Sequence, residues 1–244
     1  MRFWLLFRAL FSAVCVLFVS LPSIAQTQVQ TQADTIAKRM QACTTCHGAE
    51  GVTANQAYFP RIAGKPAGYL FNQLQNFKEG RRHYGLMVGM VEHLSDAYLM
   101  EMAQYFAALD LPYPPPTTPV KAGTSSVSLT LGKTLALQGD KTRSIPACTA
   151  CHGAALVGVQ PAIPALLGLP RDYLVAQLGA WQTGLRRALN TADKPDCMGR
   201  IAKLLSPADV DALAHWLASQ PVPTFSKPAA SLPAPLTEKC GGVP

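Results

Sequence analysis

The sequence predicts an all-α protein: two tandem helical domains joined by a Pro-rich linker. Three observations carry that prediction. The pentapeptide Cys-x-x-Cys-His is written twice, at Cys43–His47 and at Cys148–His152, 105 positions apart. Behind each copy, apolar residues fall at i, i+4 and i+7, the spacing of one helix face: Leu70, Leu74 and Phe77, then Leu174, Leu178 and Trp181. Runs that alternate apolar and polar residues, as half-buried strands do, are absent.

In chain order, Met1 to Arg8 is a short basic start with no acidic residue, and Leu10 to Leu21 is a largely apolar run. Pro22-Ser23-Ile24-Ala25 ends in the small-x-small pattern of a signal-peptidase site. Residues 1–25 therefore read as a cleaved secretory signal peptide. The apolar run is too short to span a bilayer comfortably, and an uncleaved anchor is the alternative. Cys15 lies within the apolar run and outside any lipidation context. Export places the mature chain in the periplasm, where disulfides form.

The repeat extends well beyond the two pentapeptides. Pro60-Arg61-Ile62-Ala63-Gly64 answers Pro164-Ala165-Leu166-Leu167-Gly168. Tyr69-Leu70 with Gln73-Leu74 answers Tyr173-Leu174 with Gln177-Leu178. Gly80-Arg81-Arg82 aligns with Gly184-Leu185-Arg186-Arg187 through one inserted residue, and Leu94-Ser95 with Leu205-Ser206. The first domain is expected over 26–111, the linker over 112–127, the second domain over 128–220 and a Pro/Ala-rich tail over 221–244. Ser206-Pro207-Ala208-Asp209 reads as an N-cap, a proline at the first helical position and a capping acid, with Ser95 at the equivalent cap. Helices are expected behind them over 96–109 and 207–219. Each half is about 90 residues, small for an independent core, so a bound cofactor would complete its interior.

Cys-x-x-Cys-His is the attachment signature of a c-type haem: both thiols add to the vinyl groups, and the histidine ligates the iron. Two covalently bound haem c groups are therefore expected, on Cys43, Cys46 and His47 and on Cys148, Cys151 and His152. A zinc site or a redox dithiol is the alternative for any Cys-x-x-Cys. For the remaining axial position the repeat offers Met87 and Met198, each seven residues before the paired Leu94 and Leu205. Met90 is the rival in the first half, and a gap-filling core methionine the plainer reading. His83, His93 and His215 have no counterparts in the other half. The carbonyls of Pro60 and Pro164 are candidates to orient the ligating histidines, against the simpler reading of turn prolines. Removing Cys15 and the four haem cysteines leaves Cys197 and Cys240, an even pair expected to form a disulfide unless one or both stay free thiols.

The net charge of +7 falls once Arg2 and Arg8 leave with the signal, and haem propionates would offset most of the rest. Charged residues are 14% of the chain, with no Lys/Arg run interleaved with aromatics, which excludes a nucleic-acid partner. No nucleophile–base pair and no paired catalytic carboxylates are visible.

Over roughly residues 33–219, these ordered motifs resemble the dihaem cytochrome c4 family, in which two class I cytochrome c domains stand in tandem. The resemblance implies His47 with Met87 as one axial pair and His152 with Met198 as the other. It also implies that Pro60 and Pro164 orient the histidines. With both irons six-coordinate, it implies a periplasmic one-electron carrier and no catalytic residues. The partners would be redox proteins: a dehydrogenase or quinol-oxidising complex as donor, a terminal oxidase or similar acceptor, with membrane association only through them. Cys197 and the tail depart from the family pattern, and a disulfide there would pin the Met198 loop. The alternatives are an electron-transfer subunit docked to a dehydrogenase, or a dihaem enzyme of peroxidase or thiosulfate-oxidising type with cysteine on the iron. Arg81-Arg82 and Arg186-Arg187 could serve propionates, the inter-domain contact or a partner, or simply be solvated helix ends.

Overall fold

Local capping starts the helices behind Ser95 and Ser206 where the sequence places them. In the computed structural model, which describes residues 34–52, 59–113, 115–116, 125–224, 226–232, 234–236 and 239–243, the first repeat opens with α1 (Ile36–Arg39) and α2 (Gln41–His47). The expected signal peptide and positions 114 and 117–124 of the linker lie outside the described residues. α3 (Ala67–Lys78), α4 (Gly85–Val91) and α5 (Asp96–Ala108) follow. The Ser95 hydroxyl accepts from the Tyr98 amide at 3.2 Å and starts α5. α3 packs on α5, and Met40, Leu70, Phe77, Leu99, Met102 and Phe106 form the core between them.

The second repeat contains α6 (Ser126–Leu137), α7 (Cys148–His152), α8 (Arg171–Thr183), α9 (Cys197–Leu204) and α10 (Pro207–Ser219). α10 has a complete capping box: Ser206 accepts from the Asp209 amide, and the Asp209 carboxylate accepts from the Ser206 amide at 2.8 Å. α6 crosses α10 at Gly132, where a β-carbon would lie 2.1 Å from the Ala212 carbonyl oxygen. Only glycine permits that approach. The crossing buries Leu135, Leu205, Val210 and Leu213.

α6 begins at Ser126, capped by Ser125, so it takes up the last residues expected of the linker. The start of the linker is held to the first repeat by buried Arg61, which donates to the Leu111 and Pro112 carbonyls at 2.6 and 2.7 Å and stacks on Tyr113. The described residues form no sheet, only isolated bridges, one of which joins Arg82 to Arg186 across the repeats. Among the described residues no helix is long and apolar enough to cross a membrane.

From Thr35 onward the two repeats pack in one compact unit. Backbone bonds cross between them, from the Gly68 amide to the Pro161 carbonyl at 3.1 Å and from the His83 amide to the Leu185 carbonyl at 2.8 Å. The tail returns over both: the Ala229 amide donates to Gly158, the Gly241 amide to Pro195, and the Asn72 side chain to Gly242.

Candidate haem-binding sites

Both Cys-x-x-Cys-His segments fold as short helices that end on their histidine. Gly48 and Gly153 follow with φ of 77° and 84°, a left-handed turn that glycine adopts without strain. The turn sends the chain away and leaves each histidine facing inward. The loop that follows returns to it: His47 Nδ1 lies 2.8 Å from the Pro60 carbonyl oxygen, and His152 Nδ1 lies 2.8 Å from that of Pro164. A carbonyl can only accept, so in each ring Nδ1 carries the proton and Nε2 keeps its lone pair. Burial lowers the pKa of both histidines, against the opposing effect of the proline carbonyls, and keeps the rings neutral. That is the form in which imidazole ligates a metal.

A cavity opens in front of each histidine. The first, about 1870 Å³ including its open mouth, is lined by Cys43, Cys46, His47, Met87 and Met90 among others. The second, about 1010 Å³, is lined by Cys148, Cys151, His152 and Met198. None of the four cysteines is in a disulfide, and burial raises the Cys43 thiol and pushes that of Cys148 up to about 11. Met87 and Met198 stand in the first turns of α4 and α9, two helices that follow the glycine-containing loops read from the sequence. His83 also lines the first cavity, whereas His93 and His215 line neither.

The described walls of both cavities contain no Asp or Glu, yet they contain Lys65, Arg82 and Arg186. Arg82 donates to Gln73, Gln177 and the Tyr173 hydroxyl; Arg186 mirrors it on Gln177, Gln73 and the Tyr69 hydroxyl. Arg82 stacks on Phe77 and Arg186 on Trp181, at 4.6 and 3.8 Å from the ring centres. Trp181 Nε1, on the wall of the second cavity, is buried with no hydrogen-bond partner. Apolar walls, thiols beside a neutral imidazole, and cations and an unused N–H with no carboxylate together fit a haem and its acidic substituents. The residues fit the group.

The equivalence Arg82–Arg186 keeps the offset of the preceding helix, so no residue is inserted at this point, contrary to the sequence alignment. Leu185 stands where Arg81 does, and the Arg187 amide donates to the Arg81 carbonyl. Sequence reasoning assigned Trp181 only to a helix face and gave no role to Lys65 or to the glutamines that recur as Gln73 and Gln177. The recurrence of Tyr-Leu-x-x-Gln-Leu was the available signal for the glutamines and tyrosines.

Cys197 and Cys240 are joined by a disulfide with a Cα separation of 5.6 Å. Asp196 starts α9 by accepting from the Gly199 amide at 2.9 Å, and also takes the Ala188 amide. Met198 is thus flanked by a cap on one side and a covalent tie to the tail next to it.

A family model described as cytochrome c matches residues 130–221. The thiosulfate dehydrogenase electron acceptor of Thiomonas intermedia (strain K12) is 39% identical over 189 residues, covering 77% of this chain and 83% of that protein. Cytochrome c4 of Pseudomonas aeruginosa is 32% identical, covering 72% of this chain and 82% of that protein. Among solved structures, the thiosulfate dehydrogenase of Marichromatium purpuratum matches with a TM-score of 0.62 and 33% identity over 73% of this chain. The match spans only 36% of that longer protein.

Proposed function

The chain belongs to the dihaem cytochrome c4 family and carries two covalent haem c groups, and from that membership we propose a periplasmic one-electron carrier that accepts electrons from a thiosulfate-oxidising dehydrogenase and delivers them to a terminal acceptor. Cys43, Cys46 and His47 would hold one haem and Cys148, Cys151 and His152 the other, with the Pro60 and Pro164 carbonyls orienting the histidines. Met87 and Met198, which line the two cavities, would serve as the further iron ligands. The bound haems supply reversible one-electron chemistry at iron. The protein keeps each histidine neutral and oriented, excludes water with apolar walls, and places both cavities against one shared wall. With a histidine and a methionine committed to each iron, no position would be left there for a substrate.

The observation that carries the carrier reading over an enzymatic one is the Cys197–Cys240 disulfide. A thiosulfate-oxidising dihaem enzyme of the cysteine-ligated kind needs a thiolate on the iron, and Cys197, adjacent to Met198 in the sequence, is the cysteine that would have to provide it. In the disulfide it has no thiolate to offer. The choice of donor rests on the Thiomonas relative, whose name describes an electron acceptor for thiosulfate dehydrogenase. The likeness to part of a longer thiosulfate dehydrogenase supports a second reading, a subunit that stays docked to such an enzyme.

The test is stopped-flow reduction of the oxidised protein. Thiosulfate alone should leave its visible spectrum unchanged; thiosulfate with a catalytic amount of a thiosulfate dehydrogenase should reduce both haems. Thiosulfate turnover by the isolated chain overturns the carrier reading. Co-elution with a dehydrogenase through successive columns selects the docked-subunit reading.

A further inference from the structure

Lys65 differs from the other buried cations among the described residues. It is 5% exposed and lines both cavities, at the wall they share. Arg61 is satisfied by three carbonyls, and Arg82 and Arg186 by glutamines and tyrosine hydroxyls. Lys65 makes no hydrogen bond or ion pair with any described residue, and the described lining of the two cavities offers it no carboxylate. An ammonium on the wall of two largely apolar cavities favours an anion beside it, and the cavities are where that anion would stand. Burial pulls its pKa down to about 8; Tyr173 opposes that fall, and Arg61 and Arg186 add to it.

The repeat does not require a cation here. The position matching Lys65 in the second half, at the offset that pairs Tyr69 with Tyr173, is Leu169, which is buried in the apolar core. One repeat thus carries a charge toward the shared wall where the other carries a hydrocarbon.

We propose that Lys65 is a charge-positioning residue whose ammonium takes a haem propionate at the wall shared by the two cavities and raises the reduction potential of the haem pair. The anion is the carboxylate of a group already bound, so no further ligand is needed. A fixed positive charge near the irons favours the reduced, electron-richer state, and in a water-poor wall its field is weakly screened. The proposal rests on the two-haem reading and is independent of which enzyme donates the electrons.

The experiment is spectroelectrochemical titration of the holoprotein and of its Lys65→Met, Lys65→Gln and Lys65→Arg variants, each with its haem count. The neutral variants should retain two haems and show the mean of the two midpoint potentials lowered by a tenfold change in the oxidised-to-reduced equilibrium, about 59 mV for one electron. Lys65→Arg, which keeps the charge, should stay near the parent. If the neutral variants keep both potentials unchanged with two haems bound, Lys65 has no such role while the carrier reading stands. An equal shift in Lys65→Arg and Lys65→Met also overturns it, since packing rather than charge would then be responsible. Should Lys65→Met fail to fold, Lys65→Gln decides. A parent protein with fewer than two haems would instead remove the reading on which the proposal rests.

Discussion

Met87 and Met198 hold the same place in the repeat, but the chain secures them by different means. Around Met198 the restraints are local and covalent: the Asp196 cap, the Cys197–Cys240 disulfide, and the Gly241 amide on the Pro195 carbonyl. α4, which carries Met87, starts at Tyr84 with no side-chain cap, and its Leu86 and Met90 are 65% and 49% exposed. The second cavity is lined by one methionine, the first by Met40, Met87, Met90 and Met102 together with His83. The comparison separates what the haem site needs from what surrounds it. The thiols, the histidine with its proline carbonyl, and the methionine at a fixed spacing recur in both halves. The bracing does not, and the first site should depend more on a bound haem to order the segment that carries Met87.

The largest expected effect is loss of a whole haem, and it tests that dependence directly. Cys43→Ser with Cys46→Ser, and separately Cys148→Ser with Cys151→Ser, should each lower the pyridine-haemochrome count from two per chain to one. Far-UV circular dichroism and amide exchange should then part the two variants. Without the first haem, α4 should lose protection, because its start has no side-chain cap and Val91 is its one buried residue. Without the second, α6 and α10 should persist, because their crossing at Gly132 buries a core of its own. Equal loss in the two variants would show that bracing does not distinguish the halves.

A smaller effect sharpens the role of the covalent tie. Replacing Cys197 and Cys240 together by Ser opens a loop of 43 residues, worth about 4 kcal/mol in the chain-entropy account. The loss should fall on the second site. In a denaturant titration followed by the methionine–iron charge-transfer band, the Met198 half of the signal should vanish at lower denaturant than in the parent, with the Met87 half unmoved. Met87→Ala, which removes that half, identifies which signal is which. If Met90→Ala removes it instead, the ligand of the first site is Met90.

Covalent chemistry and helical periodicity made most of this molecule legible. Cys-x-x-Cys-His-Gly allows one local geometry, and Leu70, Leu74 and Phe77 or Leu174, Leu178 and Trp181 declare their helix face by spacing alone. Ser95 and Ser206 announce the helices they start. What stayed hidden depends on tertiary placement. α4 reads Gly-Leu-Met-Val-Gly-Met-Val, too short and too glycine-rich to show as a helix. The doubled arginines invited an alignment by adjacency, whereas the structure pairs Arg82 with Arg186 because both donate to the same two glutamines. Lys65 lies at a position where the repeats differ, so repetition gave it no weight. The tail's contact between Asn72 and Gly242 spans 170 positions, beyond any local pattern.

The smallest effect lies in the helix caps, and here too the halves differ for a stated reason. Ser95 accepts from the amide of Tyr98, whose side chain cannot return the bond; Ser206 accepts from that of Asp209, whose carboxylate does. Ser206→Ala should cost about 1 kcal/mol, and Ser95→Ala less, within the ordinary range for such caps. The pH dependence should separate them further. Burial acts to raise the pKa of Asp209, but the hydrogen bonds from Arg143 and from Ser206 outweigh it, and the folded value lies below the ordinary 3.8. A carboxyl with a depressed folded pKa stabilises the protein fully above its unfolded value and loses that contribution as pH falls through the folded one. The second half should therefore lose stability below about pH 4 in the parent, and Asp209→Asn should flatten that part of the curve while Ser95→Ala leaves its shape alone. If Ser95→Ala and Ser206→Ala cost the same at pH 7, and Asp209→Asn leaves the acid limb unchanged, the reciprocal carboxylate contributes nothing and the two caps are equivalent.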